Sequence, residues 1–160
     1  MTDSLWDFAA RCYRATGVAE SCFTLQDRDG ADINLLLTAA WLAQRGCAWQ
    51  AVDVAAVIGL CADWRAHCVL PLRSIRRYLK DAADEVMYQQ AKALELDAEV
   101  VQLRKVEMAL EHLMLSPSTA TPVNLLLKHN LTIYIEVANL VGSDLTDVMT
   151  SLSKALTSEQ

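Results

Sequence analysis

The chain has 160 residues, 53% of them apolar and 21% charged, which excludes a disordered chain and is enough for one domain with its own core. Five Gly and three Pro are too few for the many turns of an all-β fold, whereas the abundant Ala, Leu, Glu, Gln, Lys and Arg favour helix. A net charge of −6 repels nucleic acid and anionic lipid except where a local patch reverses the sign.

The chain opens Met1-Thr2-Asp3-Ser4, without the basic start and apolar run of an export signal. Ser4 is placed to cap a first helix, with Asp7 three residues on, and Leu5, Phe8, Ala9 and Cys12 fall on one face. Gly17 ends it. A second helix is predicted over 18–26, followed by a polar turn, Gln26 to Asp32. The run Ile33 to Ala43 is apolar on most sides and is expected to be the central helix. Its polar groups Asn34 and Thr38 share a face and need partners if buried. Gly46 marks its end, and Trp49, in the loop-like stretch beyond, is expected to be partly exposed.

The next helix runs from about 51 toward 68, burying Val54, Val57, Ile58, Cys61, Trp64 and Cys68. Pro71 would clash with the carbonyl of His67, predicting a kink or break near Val69 and Leu70. From 72 to 114 the pattern stays helical without Gly or Pro. It is either one long helix or an antiparallel pair, with a break favoured near Leu96-Asp97-Ala98 because an unbroken helix would outrun so small a domain. Ser116-Pro117-Ser118 is a loop, and Thr121-Pro122 caps a helix reaching Val141. Gly142 stops that helix and Ser143 caps the last. The fold expected is all-α: residues 1–160 as a single helical domain of about six to eight helices, with a long helix or helical hairpin in the second half.

Several blocks resemble a family of short proteobacterial proteins known only as a domain of unknown function. They are Leu5-Trp6-x-Phe8, Tyr13, Gly17-Val18, Cys22, Leu25-Gln26-Asp27 and Gly30-Ala31-Asp32-Ile33-Asn34-Leu35-Leu36-Leu37. Trp41-Leu42-Ala43, Trp64, Pro71-Leu72-Arg73, Arg76-Arg77 and Leu79-Lys80 follow. The likeness covers about 4–115. It implies a cytosolic bacterial protein and carries no activity, cofactor or catalytic residue.

The chemistry-bearing residues are sparse. Asp27, Asp29 and Asp32 lack the spacing of a calcium loop, and Asp81, Asp84 and Glu85 only loosely resemble the diphosphate-binding acids of helical isoprenoid synthases. His67, His112 and His129 are scattered, and Cys61 and Cys68 lie about 10 Å apart along a helix, too far to share a metal. Five cysteines without a C-x-x-C read as reduced core thiols. No cofactor, metal or catalytic residue is assigned, and the balance leans away from an enzyme.

The one charge anomaly lies between Ala62 and Lys80, where Arg65, Arg73, Arg76, Arg77 and Lys80 face a single acid, Asp63. Arg73, Arg76, Arg77 and Lys80 can share one side of a helix. They either pair internally, with Asp84, Glu85 or the 27–32 turn, or bind an external anion. Arg73 is expected to be internal, pinned by Pro71-Leu72, and Arg76 and Arg77 to face outward. The leading expectation is a cytoplasmic, non-enzymatic interaction or regulatory domain that docks an acidic protein partner through this helix. No nucleic-acid or membrane partner is expected, and the oligomeric state stays open. The alternative is a helical enzyme or small-ligand binder holding an anionic, diphosphate-type ligand against Asn34, Thr38 and Asn124. A deep cavity favours the alternative, a convex basic face the docking domain.

Overall fold

Ser4 opens α1 (Leu5–Tyr13) by accepting from the Asp7 amide at 3.1 Å, while its hydroxyl donates to the Asp7 carboxylate at 2.7 Å. That reciprocal cap fixes the entry, and Leu5, Phe8, Ala9 and Cys12 turn inward. The computed structural model describes residues 3–82 and 84–158. α2 (Val18–Asp29) continues through the expected turn and stops at Gly30, whose φ of 77° closes the helix by accepting a left-handed conformation that a side chain would strain. Asp32 then caps α3 (Ile33–Gln44) through the Asn34 amide.

α3 is the central helix. Every residue from Asn34 to Ala43 is buried, because α1 covers one side of it and α7 (Val123–Val137) the other. Leu36 is fully enclosed, and Leu36→Ala is expected to cost about 2–5 kcal/mol in urea unfolding, since such a cavity cannot collapse between packed helices. The turn after α3 closes at Gly46, where a Cβ would meet the Ser118 carbonyl oxygen at 2.7 Å. The Ser118 amide donates to the Gly46 carbonyl there, pinning the 116–118 loop.

α4 (Ala51–Trp64) does not break before Pro71. It passes through a π turn, Arg65–Val69, into α5 (Leu70–Asp81), one continuous helix Ala51–Asp81. The Leu70 amide bonds back five residues to the Arg65 carbonyl. This widened turn makes room for the proline ring without ending the helix. By length and composition this helix meets the requirement for crossing a membrane, and 22% of its most apolar window is buried. Its inner stripe, Val54, Val57, Cys61 and Val69, feeds the core. Val52, Leu60 and Leu70 lie on the outside.

The break in the next segment falls after Asp81, where α5 ends, not at Leu96-Asp97-Ala98. Asp84 accepts from the Met87 amide and starts α6 (Glu85–His112), which runs 28 residues unbroken. Its first three turns escape the size limit by projecting beyond the core, alongside α5: Val86, Met87 and Leu94 are exposed there. α7 begins after Pro122 rather than with it, and α8 (Thr146–Thr157) is started by the Asp144 carboxylate on the Thr146 amide rather than by Ser143. With α4 and α5 joined, seven separate helices and no strand make up the described residues.

Two buried polar hubs fix how the helices meet. Asn130 of α7 accepts from the Trp49 amide at 3.1 Å and donates to the carbonyls of Ala39 and Cys47 at 3.1 and 3.0 Å. The Trp49 indole in turn donates to the Asn130 carbonyl at 2.8 Å. Trp49 is therefore fully enclosed rather than partly exposed. Asp32 is the second hub. It accepts from Gln102 at 2.6 Å, faces Arg65 at 3.1 Å, and its own amide donates to the Tyr134 hydroxyl at 2.7 Å. Burial, before the nearby Asp32 charge, holds the Tyr134 hydroxyl well above its ordinary value. Cys12, Cys22, Cys47 and Cys61 are buried and Cys68 is half-buried, and none of the five forms a disulfide. Burial pushes the Cys22 thiol up to about 12 and Cys61 up to about 11, which keeps both protonated and unreactive.

Candidate functional site

α5 is the most strongly two-faced helix in the chain, and what it faces decides the site. Its backbone neighbours are α6 and the π turn alone, so it stands clear of α1 and α2. Arginines on its inner face reach α6. Arg73 donates from Nε to Glu95 at 2.9 Å and from Nη2 to Glu99 at 2.8 Å. Arg76 also pairs with Glu95. Arg73 is buried and internal, as its place beside Pro71-Leu72 predicts. Arg76 is not the outward residue expected: its side chain is 18% exposed, and its guanidinium lies on Glu95. The internal acids are Glu95 and Glu99, about three and four turns further along α6 than Asp84 and Glu85.

Between α5 and the α1–α2 side the chain leaves a cleft of about 900 Å³. Trp6, Tyr13 and Phe23 form its aromatic wall, with Tyr13 and Phe23 edge to face at 6.1 Å. Arg73, Arg76, Arg77 and Lys80 line the opposite wall, with Tyr88 and Lys92 from α6. Asn34 and Leu37 belong to its floor, and the Asn34 amide donates to the Glu99 carbonyl at 3.3 Å. Arg77 reaches across to Asp27 of α2 at 2.6 Å, an exposed ion pair joining the two walls. Lys80 is exposed beside it.

Four of the basic residues singled out in the sequence, Arg73, Arg76, Arg77 and Lys80, thus come together with Asn34. Thr38 and Asn124 do not join them. The Thr38 hydroxyl is fully buried and donates to the Asn34 carbonyl at 2.7 Å within α3. Asn124 lies exposed at the start of α7 and does not line the cleft.

Charge in the cleft is finely set. Burial alone would raise the Glu95 carboxyl, but hydrogen bonds from Arg76 and Arg73 more than offset it and hold it below its ordinary 4.5. Glu99 goes the other way: burial outweighs Arg73 and keeps its carboxyl above the usual range. Burial also pushes the Tyr13 hydroxyl up to about 12.

The sequence reading missed Gln26. Placed at the boundary between the predicted helix and the polar turn, it sits in the last turn of α2, is 7% exposed and lines the cleft. Neither its Nε2 nor its Oε1 has a hydrogen-bond partner among the described residues. Its position beside Leu25, one residue from the inward stripe, was the available signal.

The family described as "Protein of unknown function (DUF2390)" has a model that matches residues 4–116. The chain belongs to that family. No curated protein and no solved structure matches it. The matched segment spans α1 to α6 and contains every residue of the cleft, whereas α7 and α8, which complete the packing around α3, lie beyond it.

Proposed function

We propose that this domain binds a small amphipathic anion in the cleft between α5 and the α1–α2 side. The observation that carries the reading is the composition of the two walls. An aromatic side of Trp6, Tyr13 and Phe23 faces a cationic side of Arg73, Arg76, Arg77 and Lys80 across an open volume of about 900 Å³. A concave site with an apolar wall and a few converging polar groups is how proteins hold small molecules. The buried Glu95 and half-buried Glu99 hold Arg73 and Arg76 in place, so those two shape the wall. Arg77 and Lys80 are free to meet an anion, because an exposed ion pair such as Arg77–Asp27 exchanges partners at little cost.

Docking of an acidic protein, the leading expectation from the sequence, stays as the second reading, favoured by the exposure of Arg77 and Lys80 at the rim. It ranks behind because the basic face is the wall of a cleft rather than a convex surface.

The test is calorimetric titration with anilinonaphthalene sulfonate, an aromatic ring system carrying one anion. One molecule is expected to bind per chain. Arg77→Glu with Lys80→Glu is expected to weaken binding about tenfold or more while the melting temperature stays within about 2 °C. Equal affinity of wild type and variant, or no binding, would overturn the cleft as an anion site.

A further inference from the structure

We infer that the outward face of the helix Ala51–Asp81 is a dimer interface, paired antiparallel with the same helix of a second copy of this chain. None of the residues that carry this reading lines the cleft, so it stands independently of the anion site.

From Ala51 to Pro71 the exposed positions recur every three or four residues, and all but Asp63 and His67 lack a polar side chain. Val52 is 73% exposed, Leu60 52% and Leu70 42%, and Tyr78 continues the row at 76%. The row takes slightly more than 3.6 residues per turn, and the extra residue of the π turn keeps it in line past Pro71. A continuous apolar row of this length differs from the single exposed apolar residues of an ordinary surface and marks a face that is covered.

The two polar residues say what covers it. Asp63 and His67 stand one turn apart near the middle of the helix, with side chains 94% and 76% exposed. His67 Nδ1 lies 2.9 Å from the Asp63 carbonyl and 3.1 Å from its carboxylate, while Nε2 has no partner among the described residues. A two-fold axis at the level of Arg65 lays a second copy antiparallel and pairs positions equally far on either side of it. Asp63 then faces His67, Leu60 faces Leu70, and Val52 faces Tyr78. Gly59, with open space above it, faces the Pro71 ring. Each His67 Nε2 donates to Asp63 of the second copy, so the ring sits between two carboxylates as an imidazolium. The contact forms twice, as an isologous interface requires.

Other occupants fit less well. A helix that lies on lipid carries Lys and Arg along the edge of its apolar face, whereas this one puts Asp63 in the middle of the face, and a net charge of −6 repels anionic headgroups. An acidic protein finds no exposed Lys or Arg between Ala51 and Pro71. A helix of 31 residues is about 46 Å long and about 10–12 Å across, so side-by-side pairing covers about 500 Å² on each copy. Lys105 of α6 lies over the Trp64 ring at 5.9 Å, and Met108, one turn on and 62% exposed, widens the strip toward the roughly 800 Å² per partner of a stable interface.

The experiment is analytical ultracentrifugation of the full chain over a concentration series at about pH 6, where an ordinary imidazole is largely protonated. A dimer at about 200 µM that dissociates on dilution toward about 1 µM is expected. Leu60→Glu is expected to weaken it about tenfold or more, while the melting temperature of the dilute monomer stays within about 2 °C because the side chain is exposed. Asp63→Lys, which sets two cations face to face, is expected to weaken it about tenfold, and adding His67→Glu to restore it. A chain that is monomeric at about 200 µM, whether or not it sediments with phosphatidylcholine vesicles, would overturn the inference. So would a dimer unmoved by Leu60→Glu, or a charge swap that restores nothing. A dimer tightened by Asp63→Lys would overturn it too, since parallel pairing sets the two Asp63 side chains together.

Discussion

Arg73→Met is expected to destabilise the fold by about 3–5 kcal/mol, the cost of leaving a buried charge without its partner. Glu95, whose side chain is 7% exposed, would keep only Arg76, and Glu99 would lose its only ion pair among the described residues. Arg73→Met with Glu95→Met is expected to recover part of that loss, because the buried Glu95 charge goes with Arg73 while Arg76 and the half-buried Glu99 stay where water reaches them. Chemical denaturation of the two variants checks this: a double variant no better than the single one would show that the pair is not the origin of the cost.

The same network sets the acid limb of stability. The Glu95 carboxyl titrates below its ordinary 4.5 in the folded chain. Its contribution is therefore complete above pH 4.5 and is lost as the pH falls through the lowered folded value. Glu99 opposes it. Its raised folded value means that its charged form takes stability away as the pH rises from 4.5 through that value. Glu95→Gln is accordingly expected to be less stable at neutral pH and to lose less on acidification than wild type.

Asn130→Ala is expected to cost about 4 kcal/mol, at the upper end for a single substitution. It strands the Trp49 amide and the Cys47 carbonyl and removes the second hydrogen bond on the Ala39 carbonyl, and each group left unpaired costs about 1–3 kcal/mol. Asn130→Asp is expected to do no better, since a carboxylate in place of Nδ2 would face two carbonyl oxygens. A urea midpoint shifted by less than about 1 kcal/mol with an unchanged slope would contradict the hub.

The parts of the fold visible in the sequence are those written locally. Ser4 with Asp7, the unbroken apolar run from Leu35 to Leu37, and Pro71-Leu72-Arg73 each carry their own reason, and each led to the right cap, central helix or buried cation. What escaped depended on residues far along the chain. Trp49 looked like a loop tryptophan because its partner, Asn130, lies 81 residues away. The break between α5 and α6 has no Gly or Pro to mark it; only Asp84 capping Met87 does so. The π turn was hidden because Pro71 signals a conflict with His67, not how the helix resolves it. In the cleft, the basic cluster was legible but its curvature was not. That required knowing that α5 stands clear of α1 and α2, and that Glu95 and Glu99 pull Arg73 and Arg76 inward. Gln26 escaped because a glutamine among aspartates reads as turn, and its burial is set by the elements packed over it.

The most direct measurement of the cleft's role is the side-chain amide resonance of Gln26 in a nitrogen–proton correlation spectrum, assigned with Gln26→Leu and followed as anilinonaphthalene sulfonate is added. The account predicts that this signal and the Trp6 indole signal shift together and saturate at one molecule per chain, while amides of Val52 and Leu60 on the outer face of α4 stay in place. Shifts confined to Val52, Leu60 and their neighbours, with the Gln26 and Trp6 signals unmoved, would contradict it.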